Sequence, residues 1–85
     1  MKVQVLGPGC AKCKALAANA EQAIAELGIT AELEKVEQIV DIARMGVLVT
    51  PGLAIDGAVV SNGHLLSVQQ IKTILADAGG AKPAG

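Results

Sequence analysis

The chain's only two thiols, Cys10 and Cys13, lie in the stretch L-G-P-G-C-A-K-C-K over residues 6–14, with two residues between them. At this spacing on the first turn of a helix, two sulfurs come within reach of a disulfide. The same two thiolates also suit a soft metal such as Cu(I). A closed structural zinc site asks for four ligands, and beyond the two cysteines the chain offers one histidine, His64. Gly-Pro-Gly before the pair and Ala-Lys within it are poor surroundings for core residues. The thiols therefore read as functional, not as two small apolar side chains.

Such chemistry depends on the elements that hold the pair. K-V-Q-V-L, residues 2–6, is a β-branched run ended by Gly-Pro-Gly and predicts a first strand. Leu16, Ala20, Ala23, Ile24 and Leu27 then recur at helical spacing, with Gly28 placed to cap the helix. Residues 31–36, A-E-L-E-K-V, alternate as a half-buried strand. Val36, Ile39, Val40 and Ala43 predict a short second helix that stops near Met45-Gly46. G-V-L-V-T-P is a connection, and G-L-A-I and A-V-V-S flank Asp56-Gly57 as a hairpin. Ser67 with Gln70 forms a capping box ahead of Val68, Ile71, Ile74, Leu75 and Ala78. Gly79-Gly80 closes that helix. The expected order is β-α-β-α-β-β-α in one domain over residues 1–78, with residues 79–85 as a flexible tail and no internal repeat.

On this map Cys10 ends the loop after the first strand and Cys13 lies in the first helical turn. Free N–H groups and the positive end of the helix dipole stabilise a thiolate there, and Lys12 and Lys14 add positive charge. Thiols in such settings ionise at roughly 3.5–7.5 instead of about 8.5. Cys10, on the loop, is expected to be the exposed nucleophile. Cys13, one turn in, is expected to be the sheltered resolving thiol.

Composition bounds the partners. Of the 85 residues, 52% are hydrophobic and 18% charged, which is the balance of a folded domain. A chain this size buries only about 60–65% of its unfolded surface, so its core is thin. There is no Phe, Tyr or Trp, hence no stacking platform for single-stranded nucleic acid. Seven Lys plus Arg against eight Asp plus Glu give a net charge of −1, which points to neither nucleic acid nor an anionic membrane. No apolar run approaches the ~20 residues of a membrane helix, and Val3–Leu6 is too short for a secretory signal. The expectation is a cytoplasmic protein, and in that compartment paired cysteines are more often catalytic or metal-binding than structural.

Two resemblances bear on the choice. Gly7-Pro8-Gly9-Cys10-Ala11-Lys12-Cys13 resembles, over only those residues, the Cu(I)-carrying loop of the heavy-metal-associated domain, with Pro8 where that family has methionine. That family ends on a strand, whereas this chain ends on a capped helix. Over nearly its whole length, to about residue 78, the chain resembles the minimal, glutaredoxin-like version of the thioredoxin fold. More closely, it resembles the small redox-active disulfide proteins within it. V-L-G-x-G-C-x-K-C, G-V-x-x-T-P and the I-D-G hairpin carry that likeness. It implies an α/β fold with a four-stranded mixed sheet flanked by three helices.

The likeness also implies a function. Cys10 would attack a disulfide and Cys13 would resolve the mixed intermediate. Pro51 would be a cis-proline beside the sulfurs, with Thr50 pairing its backbone to the substrate. Ser61-Asn62-Gly63 stands where glutaredoxins use a Gly-Gly loop on glutathione, which makes Gly63 a substrate-binding position. Thioredoxins proper have Trp before the first cysteine and Gly-Pro between the two; here Gly9 and Ala11-Lys12 stand in those places. The first strand carries Gln4 where a carboxylate could take the second thiol's proton. The implied partners are a disulfide-containing protein or low-molecular-weight thiol and an upstream reductase. The expectation is a monomer with no bound cofactor and no metal. The alternative kept beside it is a soft-metal carrier for Cu(I), Zn(II) or arsenite. His64 and the Glu32, Glu34, Glu37 and Asp41 cluster read as solvated groups.

Overall fold

The structure is a computed structural model that describes residues 1–78. Its elements are β1 (Lys2–Leu6), α1 (Ala11–Leu27), β2 (Glu32–Val36), α2 (Ile39–Arg44), β3 (Gly52–Ile55), β4 (Ala58–Asn62) and α3 (Val68–Ala78). The expected tail, residues 79–85, and the Gly79-Gly80 cap lie outside the described residues. The sheet order is β2-β1-β3-β4. β1 runs parallel to β2, with Val5 opposite Lys35, and antiparallel to β3, with Gln4 opposite Ala54. β3 and β4 form the expected hairpin. Asp56 and Gly57 at its tip both take positive φ, 50° and 87°, which suits the right-handed twist of the flanking strands.

Alternation along β1 divides the molecule into two apolar layers. Val3 and Val5 face one way and pack with Leu16, Ala17, Ala20 and Ala23 of α1, Leu53 and Ile55 of β3, and Ile71 and Leu75 of α3. Without aromatic rings, close approach substitutes for bulk: the alanines of α1 let that helix lie near the sheet. Leu6 faces the other way with Ile42, Val47 and Ala54, so α2 covers the opposite face. Among the described residues no polar or charged residue is buried.

The second helix corrects the sequence reading. Its expected apolar stripe was Val36, Ile39, Val40 and Ala43, but Val36 ends β2 and Ile39 and Val40 are 63% and 61% exposed. Ile42 alone turns inward from α2, and Val47 of the following loop completes the contact. Six residues make fewer than two turns, too few for periodicity to define a face. Strand β2 also begins at Glu32, one residue later than expected. In α1, Ile24 and Leu27 pack at the margin of the core, partly buried.

Helix ends and a few polar links fix the third layer. Gly28 caps α1, its N–H donating to the carbonyls of Ile24 and Ala25. The capping box forms: the Gln70 N–H donates to Ser67 Oγ at 3.1 Å, and Gln70 Oε1 accepts from the Ser67 N–H at 2.8 Å. Ser67→Ala should therefore cost about 1 kcal/mol, read as a lower urea midpoint at unchanged slope. An unshifted midpoint would show that the packing of α3, and not its cap, sets its stability. Lys72 of α3 bonds Glu26 of α1 at 3.0 Å. Hydrogen bonds from Gln22 and then Lys72 hold the Glu26 carboxyl below its ordinary range. On the α2 face, Gln4 donates to Glu34 at 2.7 Å, and that bond, with Lys2, lowers the Glu34 carboxyl as well. Carboxyls lowered in the folded state stabilise it above their ordinary range, and that contribution is lost as pH falls through the lowered values.

Candidate active site

The site is assembled where the loop after β1 runs into α1. Cys10 is the N-cap of α1, in extended backbone conformation (φ −67°, ψ 167°). Its carbonyl accepts the first helical hydrogen bond, from the Lys14 N–H at 3.0 Å. Its sulfur takes the place of a capping oxygen: Cys10 Sγ accepts the Cys13 N–H at 3.2 Å. Proximity then does the rest. The Cα atoms of the two cysteines are 5.0 Å apart and their sulfurs are joined as a disulfide. The pair is asymmetric. Cys10 is exposed, while Cys13 retains 4% of its exposure.

Two further stretches close on the pair. The Thr50–Pro51 peptide is cis, with Pro51 fully buried and Thr50 half-buried. Gly63 is tied to this loop. Its N–H donates to the Pro51 carbonyl at 2.7 Å, it adopts φ +71°, and a Cβ there would lie 2.6 Å from Val49 Cγ1. A side chain at 63 would thus be strained and would also displace Val49. The link between loop and disulfide is Gly7. A Cβ built on Gly7 would overlap Cys13 Sγ and lie 3.8 Å from Thr50 Cβ. Glycine here is a matter of space: the backbone passes directly against the buried sulfur.

The tertiary fold therefore gathers Cys10, Cys13, Thr50, Pro51 and Gly63 at one end of the sheet. Lys12 and Lys14 are both exposed there, and among the described residues neither forms an ion pair. Lys14 borders a cleft of about 60 Å³ beside Cys13, whose walls are Val5, Gly7 and Gly9 and whose other polar side chains are Lys35 and Glu37. His64 is exposed and makes no hydrogen bond among the described residues. Gln4 is on the far side of the sheet: it alternates with Val3 and Val5 and shares the face of Leu6.

The sequence reading missed Gly7, Lys35 and Glu37. In the linear chain Glu37 reads as part of a solvated acidic cluster. The signal was present in the strand period. Val5 pairs with Lys35, so residues 35 and 37 fall on the side of Val5 and Gly7, toward Cys13.

Comparison with known proteins agrees with this geometry. The thioredoxin domain model matches residues 1–76. The chain belongs to the thioredoxin domain family. It is 45% identical over 75 residues to a thioredoxin of Methanothermobacter thermautotrophicus, covering 88% of this chain and 97% of that protein. It is 43% identical over 70 residues to a thioredoxin of Methanocaldococcus jannaschii, covering 82% of this chain and 80% of that one. Within this thioredoxin fold the Cys10–Cys13 pair is a thiol–disulfide oxidoreductase centre, and the soft-metal alternative is not favoured. Among the described residues no helix is long and apolar enough to cross a membrane.

Proposed function

We propose that residues 1–78 act as a cytoplasmic, monomeric dithiol–disulfide exchanger in which Cys10 attacks and Cys13 resolves. The observation that carries this reading is the asymmetry of the pair: an exposed cysteine at the helix N-terminus bonded to a buried one. In the reduced protein the Cys10 thiolate attacks one sulfur of a partner's disulfide. The Cys10–partner S–S bond forms, and the other partner sulfur leaves as a thiolate. Cys13 then attacks Cys10 Sγ, the intramolecular disulfide closes, and the second partner sulfur leaves. Two electrons pass to the partner, and an upstream reductase returns two to the pair.

Local structure favours Cys10 for the first step. The Cys13 N–H aimed at its sulfur, together with the helix dipole, stabilises negative charge there. Lys12 and Lys14 add positive charge, weakened by solvent and salt because both are exposed. The substrate chain lies across Thr50, Pro51 and Gly63. Beside that loop Leu48 is 89% exposed and Val49 60%, an apolar margin that suits a polypeptide disulfide better than a small polar thiol.

The test is titration of the purified protein in thiol–disulfide buffers. Loss of two hydrogens is followed by mass spectrometry, since there is no tryptophan to report. A reversible two-electron transition is expected between about −270 and −120 mV, the span of known exchangers. Thiols that stay reduced across that span would overturn the reading.

A further inference from the structure

The resolving step leaves a proton without an owner. Cys13 carries it as a thiol, is buried to 4% exposure, and must lose it to attack Cys10 Sγ. A free thiolate so deeply buried is costly, so the proton has to leave as the bond forms. Its acceptor must therefore be at hand.

The charged and titratable groups facing Cys13 are few. From the N-cap comes Cys10, the sulfur under attack. The cleft beside Cys13 supplies Lys14 from α1, Lys35 from β2 and Glu37 just after β2. A lysine ammonium donates hydrogen bonds and accepts none, so neither lysine can take a proton in its charged form. Gln4 and its partner Glu34 meet on the opposite face of the sheet. Among the described residues that line the cleft, Glu37 is the one acceptor left. Its carboxylate turns back over the loop before α1, with Oε2 3.8 Å from where a Cβ on Gly9 would sit. Gly7 and Gly9, which have no side chains, line the cleft, and Cys13 is in its wall with Glu37. At about 60 Å³ the cleft exceeds the roughly 10–15 Å³ that a cavity needs to hold one water.

We infer that Glu37 is the proton acceptor for Cys13, acting through a water in this cleft. The inference rests on Cys13 being the resolving thiol. As Cys13 Sγ bonds to Cys10 Sγ, its proton passes to the water, and the water's proton passes to the Glu37 carboxylate. The Cys10–partner bond breaks with its electron pair on the partner sulfur. Glu37 then returns its proton to solvent. Lys14 and Lys35 flank the path and offset the negative charge that grows on the sulfur.

The experiment is stopped-flow reaction of the reduced protein with the chromogenic disulfide 5,5′-dithiobis(2-nitrobenzoate). A first thiolate is released when Cys10 attacks, at a rate proportional to reagent. A second is released when Cys13 closes the disulfide, at a rate independent of reagent. In Glu37→Gln the ratio of second to first rate is expected to fall about tenfold or more at pH 6, the low end of what a positioned base contributes. Its second rate should then climb about tenfold per pH unit as hydroxide takes over, where the parent protein changes less steeply. Glu37→Asp should restore part of the ratio.

The opposite result is equally informative. A carboxylate that merely repels the thiolate would speed the second phase when removed, so an unchanged or raised ratio overturns the inference. Cys13→Ser should release one equivalent only. Reagent-independent release of a second equivalent from that variant would overturn the resolving assignment itself, and with it any role for Glu37.

Discussion

Cys10→Ser should abolish disulfide exchange, whereas Cys13→Ser should keep the first attack and stall as a stable mixed disulfide. The two sulfurs differ in what they can reach. Cys10 is exposed at the N-cap, and its sulfur accepts a helix N–H. Cys13 is buried against Gly7 and borders the cleft. A serine hydroxyl does not ionise near neutral pH, so Cys10→Ser should lose at least about a thousandfold in rate. In the proposed mechanism, replacing Cys13 removes the group that displaces the partner, so the intermediate has no intramolecular exit. Mass spectrometry of the Cys13→Ser protein after incubation with a disulfide substrate should show one adduct per chain, released by added reductant. An adduct that forms on Cys13 in the Cys10→Ser protein at the parental rate would reverse the assignment.

Gly7→Ala should destabilise the protein and the oxidised form more than the reduced one. The new Cβ would fall on Cys13 Sγ and within 3.0 Å of Cys13 Cβ. In the disulfide the sulfur is tied to Cys10 and cannot swing away. In the dithiol it has a free χ1 rotation and part of the clash is relieved. Overpacking of a close contact costs roughly 1–3 kcal/mol. If most of that falls on the oxidised state, the couple shifts upward by about 20–60 mV, at 30 mV per 1.4 kcal/mol for two electrons. Urea midpoints of both redox states, with a redox titration of the variant, measure the split. Equal losses in the two states would place the strain on the backbone of residue 7 and not on the sulfur.

The parts of the fold legible in the chain were those set by local rules. The turn at Asp56-Gly57, the capping box at Ser67 and Gln70, the cap at Gly28 and the inward stripe of α1 each depend on residues within a few positions of one another. The Cys-x-x-C pair was legible for the same reason, since helix geometry alone brings residues 10 and 13 together. Helix α2 was not. Six residues carry too little periodicity, and Ile42 turns inward because the sheet end presents Leu6 and Ala54 to it.

What the chain by itself determined is the chemistry available: two thiols at a helix start, flanked by lysines, with a Thr-Pro forty residues on. What only the tertiary structure decided is which distant groups stand beside those thiols. Pairing of β1 with β2 carries Lys35 and Glu37 to the side of Val5 and Gly7, and the antiparallel β3 brings Pro51 and Gly63 to the same end of the sheet. A one-residue slip in either register would turn those side chains to the other face, and register is held by the buried rows of Val3, Val5, Leu53 and Ile55. Glutamate at 37 reads as one more solvated charge in the linear chain. The parallel pairing of two strands sets it in the cleft that borders the buried Cys13.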